Sequence, residues 1–305
     1  MPACEFRRWA FYQSVFLFLF LNKQQTSFIM LIMRLHRFFI EQEIPEGEEV
    51  TVADKDLIHQ WQKVFRLKTG DRVILFDGSE FDYVSEFVSL DKNNSVLRII
   101  EKKKNENIPK KEIHLFQSII KKDKFEWVLE KGTELGVSYF HPIISERSEK
   151  KNINFERANK IIKEASEQSG RLNLPHLNEL ANFEDVLGNI GFTQLDAVRG
   201  ASEKRPSHTS EYGEGASERR NEEMRQVRKS YNDFVSIAFD PTGDKFDKND
   251  FEKEKILGIF IGPEGGWSDR ELELFKEKRF KILSLGNQIL KAETAAIAVS
   301  SLLLL

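Results

Sequence analysis

The stretch IFIGPEGGWSDRE, residues 259–271, decides the fold class. Its apolar opening reads as a buried strand that ends at Ile261. Gly262 to Gly266 then form a loop, and Ser268 with Glu271 three positions on spells a capping box that starts a helix. Strand, glycine-bearing loop and helix in that order are the unit of an open α/β sheet, whose ligands bind at the carboxyl ends of its strands. Glycine there allows close backbone approach or positive φ. A tight turn with no ligand accounts for this loop equally well taken alone, and its spacing fits neither a dinucleotide fingerprint nor a P-loop.

A second stretch, LSLGNQILKAETAA at 283–296, repeats the pattern. A strand ends at Gly286, and a short turn leads into a helix whose first residues include Lys291, Glu293 and Thr294. Two such loops converging on one site favour a ligand over a bare turn. Further upstream the runs EIHLFQSI, SYFHPII, DFVSIAF and ILGIFIG alternate with helical periodicity from Lys111 onward, as in an α/β layer fold. Phe125, Val128, Leu129 and Leu135 share one helix face. Phe155, Ala158, Ile161, Ile162 and Ala165 share another, and both faces read as core.

Residues 33–104 read as a small β-rich domain with one helix. Leu57, Ile58, Trp61, Val64 and Phe65 form its apolar face, and Gly70 is expected to end it in a left-handed cap. RVILFDG, FDYVSEFV and SVLRIIEKK follow as strands of a meander or barrel, parted by Asp77-Gly78 and by Asp91 to Asn94. The lysine-rich NENIPKK is a linker, and residues 111–305 make the second domain. Within it, residues 199–230 hold eight Lys/Arg, six Asp/Glu and only five apolar residues, too few to offset the entropy of ordering, so a disordered insertion is expected.

Residues 1–32 differ from the rest. Arg7 and Arg8 precede WAFYQSVFLFLFL, yet no small-residue cleavage site follows, and a span continued through SFIMLIM would carry Lys23 at a cost of roughly 2.5–3.5 kcal/mol. Met33 is the expected start of the native protein, and a membrane role is not expected. The single cysteine, Cys4, excludes an internal disulfide framework and fits a reducing, cytoplasmic compartment. The six histidines show no metal-ligand spacing, so no metal is expected. A net charge of -3 excludes wholesale electrostatic capture of nucleic acid and leaves local patches for any RNA contact.

The pair IGPEGGWS and LSLGNQILKAETAA resembles the cofactor-binding signature of the RsmE family, ribosomal RNA uracil-N3 methyltransferases of the SPOUT superfamily. MRLHRFF at 33–39, FRLKTGDRVILFDG at 65–78, KFEWVLEKGTELGV at 124–137, ISERS at 144–148 and EASEQSGRLNLP at 164–175 match in family order. The resemblance implies a PUA-like RNA-binding domain followed by an α/β catalytic domain whose C-terminal part threads a trefoil knot. It also implies a homodimer that binds S-adenosyl-L-methionine and acts on a uridine of small-subunit ribosomal RNA. The cofactor loops would comprise Gly262, Pro263, Glu264, Gly265, Gly266, Leu285, Gly286, Leu290, Lys291, Glu293 and Thr294. Where the family pattern has arginines, Gln288 and Lys291 stand here, and Lys291 keeps a charge without the bidentate fork.

N3 methylation removes an imide proton, and cationic donors would stabilise the anion. Arg147 and Arg171 are the expected catalytic charges, with surface salt bridging as the bland alternative. Glu264 and Glu293 suit cofactor or loop ordering, or a helix N-terminus. Arg34, His36 and Arg37, beside Phe38 and Phe39, combine charge with aromatic rings and suit RNA docking; an ordinary first strand reads as well. Two rivals stay open: a nucleotide-dependent enzyme, disfavoured by the missing G-x-G-x-x-G, and a catalytically weakened RNA-binding or ribosome-assembly protein, kept open by Gln288 and Lys291.

Overall fold

The computed structural model describes residues 35–45, 47, 49–149, 151–189 and 235–305, which fall into two compact units parting between Asn105 and Glu106. The extension 1–32, Arg34 and the charged stretch 199–230 lie outside the described residues.

The first unit is a five-stranded sheet in the order β1-β3-β4-β5-β2. Its strands are β1 (Arg37–Phe39), β2 (Glu49–Val52), β3 (Arg72–Phe76), β4 (Phe81–Leu90) and β5 (Ser95–Lys104). β1 runs parallel to β3, and the other pairs are antiparallel. Alternation places Val73, Leu75, Phe87 and Leu97 inward, where they close over Phe38 and Trp61. Helix α1 (Lys55–His59) starts at Asp54, whose side chain accepts from the amides of Asp56 and Leu57. It continues as a π-helical turn, Gln60–Val64, which corrects the expected apolar face. The wider turn rotates Val64 outward, leaving it 65% exposed while Leu57, Ile58 and Trp61 stay buried. Gly70 does take a positive φ, but in the turn before β3, where its amide donates to Phe87 O, and not at the helix end.

The second unit is a parallel sheet in the order β12-β10-β11-β6-β7-β8, with the short β9 (Ala181–Asn182) also on β7. These strands are β6 (Glu112–Ser118), β7 (Tyr139–Ile144), β8 (His176–Leu177), β10 (Val235–Lys245), β11 (Ile256–Ile261) and β12 (Lys281–Ser284). Both faces are covered, so the central strands are continuously apolar. Ile113, Leu115, Leu257 and Ile259 meet the helices α2 (Lys122–Leu135), α3 (Phe155–Ser169) and α6 (Ala292–Leu304) in one core. Phe116, Ala238 and Phe260 meet α4 (Phe183–Asn189) and α5 (Asp269–Glu277) in the other. Gly136 ends α2 and Gly170 ends α3, each at positive φ. From the edge strand β12 the chain returns to lay α6 on α2, β6 and β11 in the middle of the sheet.

Candidate active site

The carboxyl ends of β6, β7, β11 and β12 and the middle of β10 bound one cavity of about 760 Å³. Parallel strands deliver their following loops to the same edge, which brings residues far apart in sequence together. The loop after β11 forms one wall. Its Gly266 amide closes a turn onto Pro263 O at 2.9 Å, with Gly266 at φ 68°. A Cβ on Gly262 would lie 3.2 Å from the Trp267 ring, whose Nε1 in turn donates to Phe239 O at 3.0 Å. Gly262 thus allows the indole to pack under the loop and tie it to β10. The capping box is present: Ser268 Oγ accepts from Glu271 N, and Glu271 Oε2 accepts from Ser268 N. Glu271 Oε1 also accepts from Glu146 N at 2.8 Å, docking the loop after β7 onto this wall.

That docked loop carries Arg147. Its Nη1 donates to Gly265 O and Trp267 O, both at 3.0 Å, so the guanidinium straps the glycine loop in place. Nε and Nη2 make no hydrogen bond among the described residues, and the side chain stands at the cavity. A Cβ on Gly265 would crowd Arg147 Cβ at 3.3 Å.

The loop after β12 forms the facing wall through Leu285, Gln288, Ile289, Leu290 and Lys291. Gly286 holds φ 133°, and its carbonyl accepts from Ser284 Oγ at 3.0 Å; it shapes the turn without lining the cavity. Lys291 is the exposed N-cap of α6, with no side-chain capping bond. Glu293 lines the cavity from the first turn of that helix, 5% exposed, with Lys124 Nζ of α2 at 3.6 Å. Glu264 accepts from Lys121 N at 3.2 Å, joining the β11 and β6 exits. Thr294 is exposed and lies outside the lining. Nine of the eleven expected cofactor-loop residues therefore meet at one cavity, all except Gly286 and Thr294.

Sequence reasoning missed Lys121 and Lys124 at the start of α2, and the third loop, Asp240-Pro241-Thr242. The signal for that loop was present. Asp-Pro followed by Thr-Gly interrupts an apolar strand run, and such residues mark turns.

Arg171, by contrast, does not line the cavity. Arg171 is buried, and its guanidinium donates to Asn173 O at 2.6 Å and Thr133 O at 3.3 Å; burial pulls its pKa down to about 10. Thr133 lies near the far end of α2 from Lys121, about 18 Å away at 1.5 Å rise per residue. Arg37 corrects the expectation of a surface cation. Its guanidinium is 6% exposed, pairs with Asp82 at 2.7 Å and stacks 3.4 Å over the Phe76 ring, so it braces the first unit's sheet. His36 is exposed, with its ring 4.3 Å from that of Phe65. No group of three His, Cys, Asp or Glu is placed to hold a metal ion among the described residues. No helix among them is long and apolar enough to cross a membrane.

Comparison with known proteins matches this architecture. An RNA methyltransferase domain family model fits residues 106–219 and 221–304, and an RNA methyltransferase PUA domain model fits residues 62–100. The ribosomal RNA small subunit methyltransferase E of Rickettsia conorii is 30% identical over 87% of this chain and 93% of its own length. The Bacillus subtilis protein of that name is 29% identical over 86% of this chain and 93% of its own. Among solved structures, the Neisseria gonorrhoeae methyltransferase E bound to S-adenosyl methionine shares the fold at TM-score 0.67 and 23% identity, over 88% of this chain and 96% of that one. With its domain model spanning most of the second unit and a 30% identical relative matched nearly end to end, the chain belongs to the ribosomal RNA small subunit methyltransferase E (RsmE) family.

Proposed function

We propose that this chain methylates ribosomal RNA of the small subunit with S-adenosylmethionine as donor, at N3 of a uridine. The observation that carries the reading is the convergence of four strand ends and the middle of β10 on one cavity walled by two glycine-bearing loops. Its volume of about 760 Å³ falls in the range of small-molecule sites. The donor set suits this cofactor, which bears a sulfonium, an ammonium and a carboxylate. Asp240 and Glu293 are buried carboxylates for its cationic groups, and Lys121, Lys124 and the start of α6 offer positive charge for its acid. When bound, S-adenosylmethionine supplies an electrophilic methyl group.

The protein's own part is alignment and charge. Holding the uracil in line with the methyl group supplies about 7–11 kcal/mol of barrier reduction. Arg147 lines the cavity with Nε and Nη2 unbonded among the described residues while Nη1 is held by two carbonyls, which makes it the proposed donor for a developing uracil oxyanion. Arg171 is proposed to brace the fold, since its guanidinium ties carbonyls of α2 and of the segment after α3 together. The first unit is proposed as the RNA-docking PUA-like domain, with Arg34 and His36 as contacts.

Three further parts belong to the proposal. The C-terminal stretch threads a trefoil knot, supported by the return of α6 from the edge strand to mid-sheet. Two copies form the working dimer, supported by exposed Trp127 and Leu302 on the neighbouring helices α2 and α6. The compartment is the cytoplasm, supported by the single cysteine. The test is transfer of labelled methyl groups to small subunits and to naked ribosomal RNA, with mass mapping of the product. Label at N3 of one uridine is expected. Cofactor and RNA binding without transfer would favour an assembly protein instead, and label on another atom would refute the N3 assignment.

A further inference from the structure

β10 leaves the sheet in mid-course. Phe239 and Asp244 both stand opposite Leu283 on β12, so residues 240–243 form an excursion between two paired segments. Three contacts fix its shape. Gly243 passes so close to β12 that a Cβ would lie 2.6 Å from Ile282 backbone atoms. The Trp267 indole holds Phe239 O. Asp240 Oδ1 accepts from Thr242 N at 2.9 Å and from Thr242 Oγ1 at 2.6 Å. Asp240 is 8% exposed and lines the cavity, yet no hydrogen bond or ion pair reaches its second oxygen, Oδ2, among the described residues.

The cavity's cations do not answer this carboxylate. Lys124 sits by Glu293, Arg147 Nη1 is held by carbonyls, and neither Lys121 nor Lys291 pairs with Asp240. Oδ2 reaches the cavity and is not sealed in the core, so a bound molecule can supply the donor that the protein does not. Its held loop and satisfied Oδ1 make Oδ2 a fixed acceptor.

We propose that Asp240 is a cofactor-recognition residue whose Oδ2 accepts from an N–H or O–H donor of the bound molecule. The inference rests on the S-adenosylmethionine reading. Such donors occur at both ends of that molecule, as ribose hydroxyls and adenine amine on one side and the ammonium on the other. Aspartate suits either, because a charged acceptor strengthens the bond.

The test is calorimetry on the full chain with S-adenosylmethionine and with 5′-methylthioadenosine, which keeps the nucleoside and lacks the amino acid. Asp240→Asn keeps an acceptor for Thr242 and turns the free oxygen into an amide donor. It is expected to weaken S-adenosylmethionine about tenfold or more with an unchanged thermal midpoint for the ligand-free chain. An equal loss for methylthioadenosine assigns the bond to the nucleoside, and a loss confined to the whole cofactor assigns it to the ammonium; both support the proposal. Asp244→Asn, an exposed aspartate of the same strand outside the cavity's lining, is expected to bind within about twofold of wild type. Should the asparagine variant fail to fold, Asp240→Glu, with its carboxylate moved out by one methylene, carries the same comparison. Equal binding by wild type and the Asp240 variant overturns the proposal alone, as does a loss in Asp244→Asn as large as that in Asp240→Asn. A wild-type chain that binds no S-adenosylmethionine overturns the functional reading together with this proposal.

Discussion

The first strand of the small unit and the loop after β11 both carry residues that read as functional, and the fold treats them in opposite ways. In the small unit, Arg37 turns inward to Asp82 and the Phe76 ring and is consumed by the sheet it belongs to. In the large unit, residues 262–266 have their conformation held from outside, by Trp267, Arg147 and Glu271, while the loop itself faces the cavity. A polar residue with an opposite charge across the sheet is structural. A loop whose shape is maintained by neighbours, and whose open side faces a cavity, is available for ligand.

Breaking the loop is expected to have the largest effect. Gly262→Val would drive a branched side chain into the Trp267 ring, and Gly266→Val would force a β-branched residue into positive φ. Each is expected to lower S-adenosylmethionine affinity by about two orders of magnitude, the size of a strained backbone position, in a chain that still unfolds cooperatively. Normal calorimetric affinity in either variant would remove the loop from the site.

The opposite outcome is expected of Arg37. Arg37→Ala leaves Asp82 without its cation and should cost about 3 kcal/mol of stability in the first unit, read by urea unfolding. The salt dependence of RNA binding by the remaining folded protein should be unchanged, because a buried guanidinium contacts no phosphate. A shallower salt slope with full stability would put Arg37 back on the RNA surface.

The two arginines first paired as catalytic sharpen the contrast further. Arg171→Ala exposes two carbonyls to loss of their donor and should cost about 2 kcal/mol of stability, while single-turnover methyl transfer at saturating RNA stays near wild type. Arg147→Ala should slow that same step with little loss of stability. A fall of about 10²- to 10³-fold in Arg171→Ala, with the fold intact, would place its guanidinium at the reacting base after all.

The smallest effect concerns pH. On the α4 and α5 side of the large sheet His114 Nδ1 and His141 Nε2 lie 3.0 Å apart, and burial holds both imidazoles below their ordinary value of 6.5. As pH falls through that value the unfolded chain takes up protons that the folded chain refuses, so stability is level above it and declines below it. Denaturation between pH 7.5 and 5.5 should show this slope, and His141→Phe should flatten part of it. A slope unchanged by that substitution would assign the acid loss to other groups.

How much was legible depended on whether the signal was local. A capping box at Ser268 and Glu271, glycines after an apolar run and five apolar strand runs are statements about neighbouring residues, and the large parallel sheet followed from them. Val64 was misplaced because its face depends on a π turn, one extra residue per turn that periodicity does not announce. Arg37 was misplaced because the charge that claims it lies 45 positions away on β4.

By itself, then, the sequence determined the layer class, the two glycine-bearing loops and the family signature, since strand, loop and cap propensities act within a few residues. Only the tertiary structure decided which polar groups are left for a ligand. The strap from Arg147 to the glycine loop spans 118 positions, and the bond from Trp267 to β10 spans 28. Asp240 became a candidate because, among the described residues, no other group claims its Oδ2 once the strands are laid side by side. Hydrogen-bond satisfaction is a property of the whole packed neighbourhood, and no window along the chain contains it.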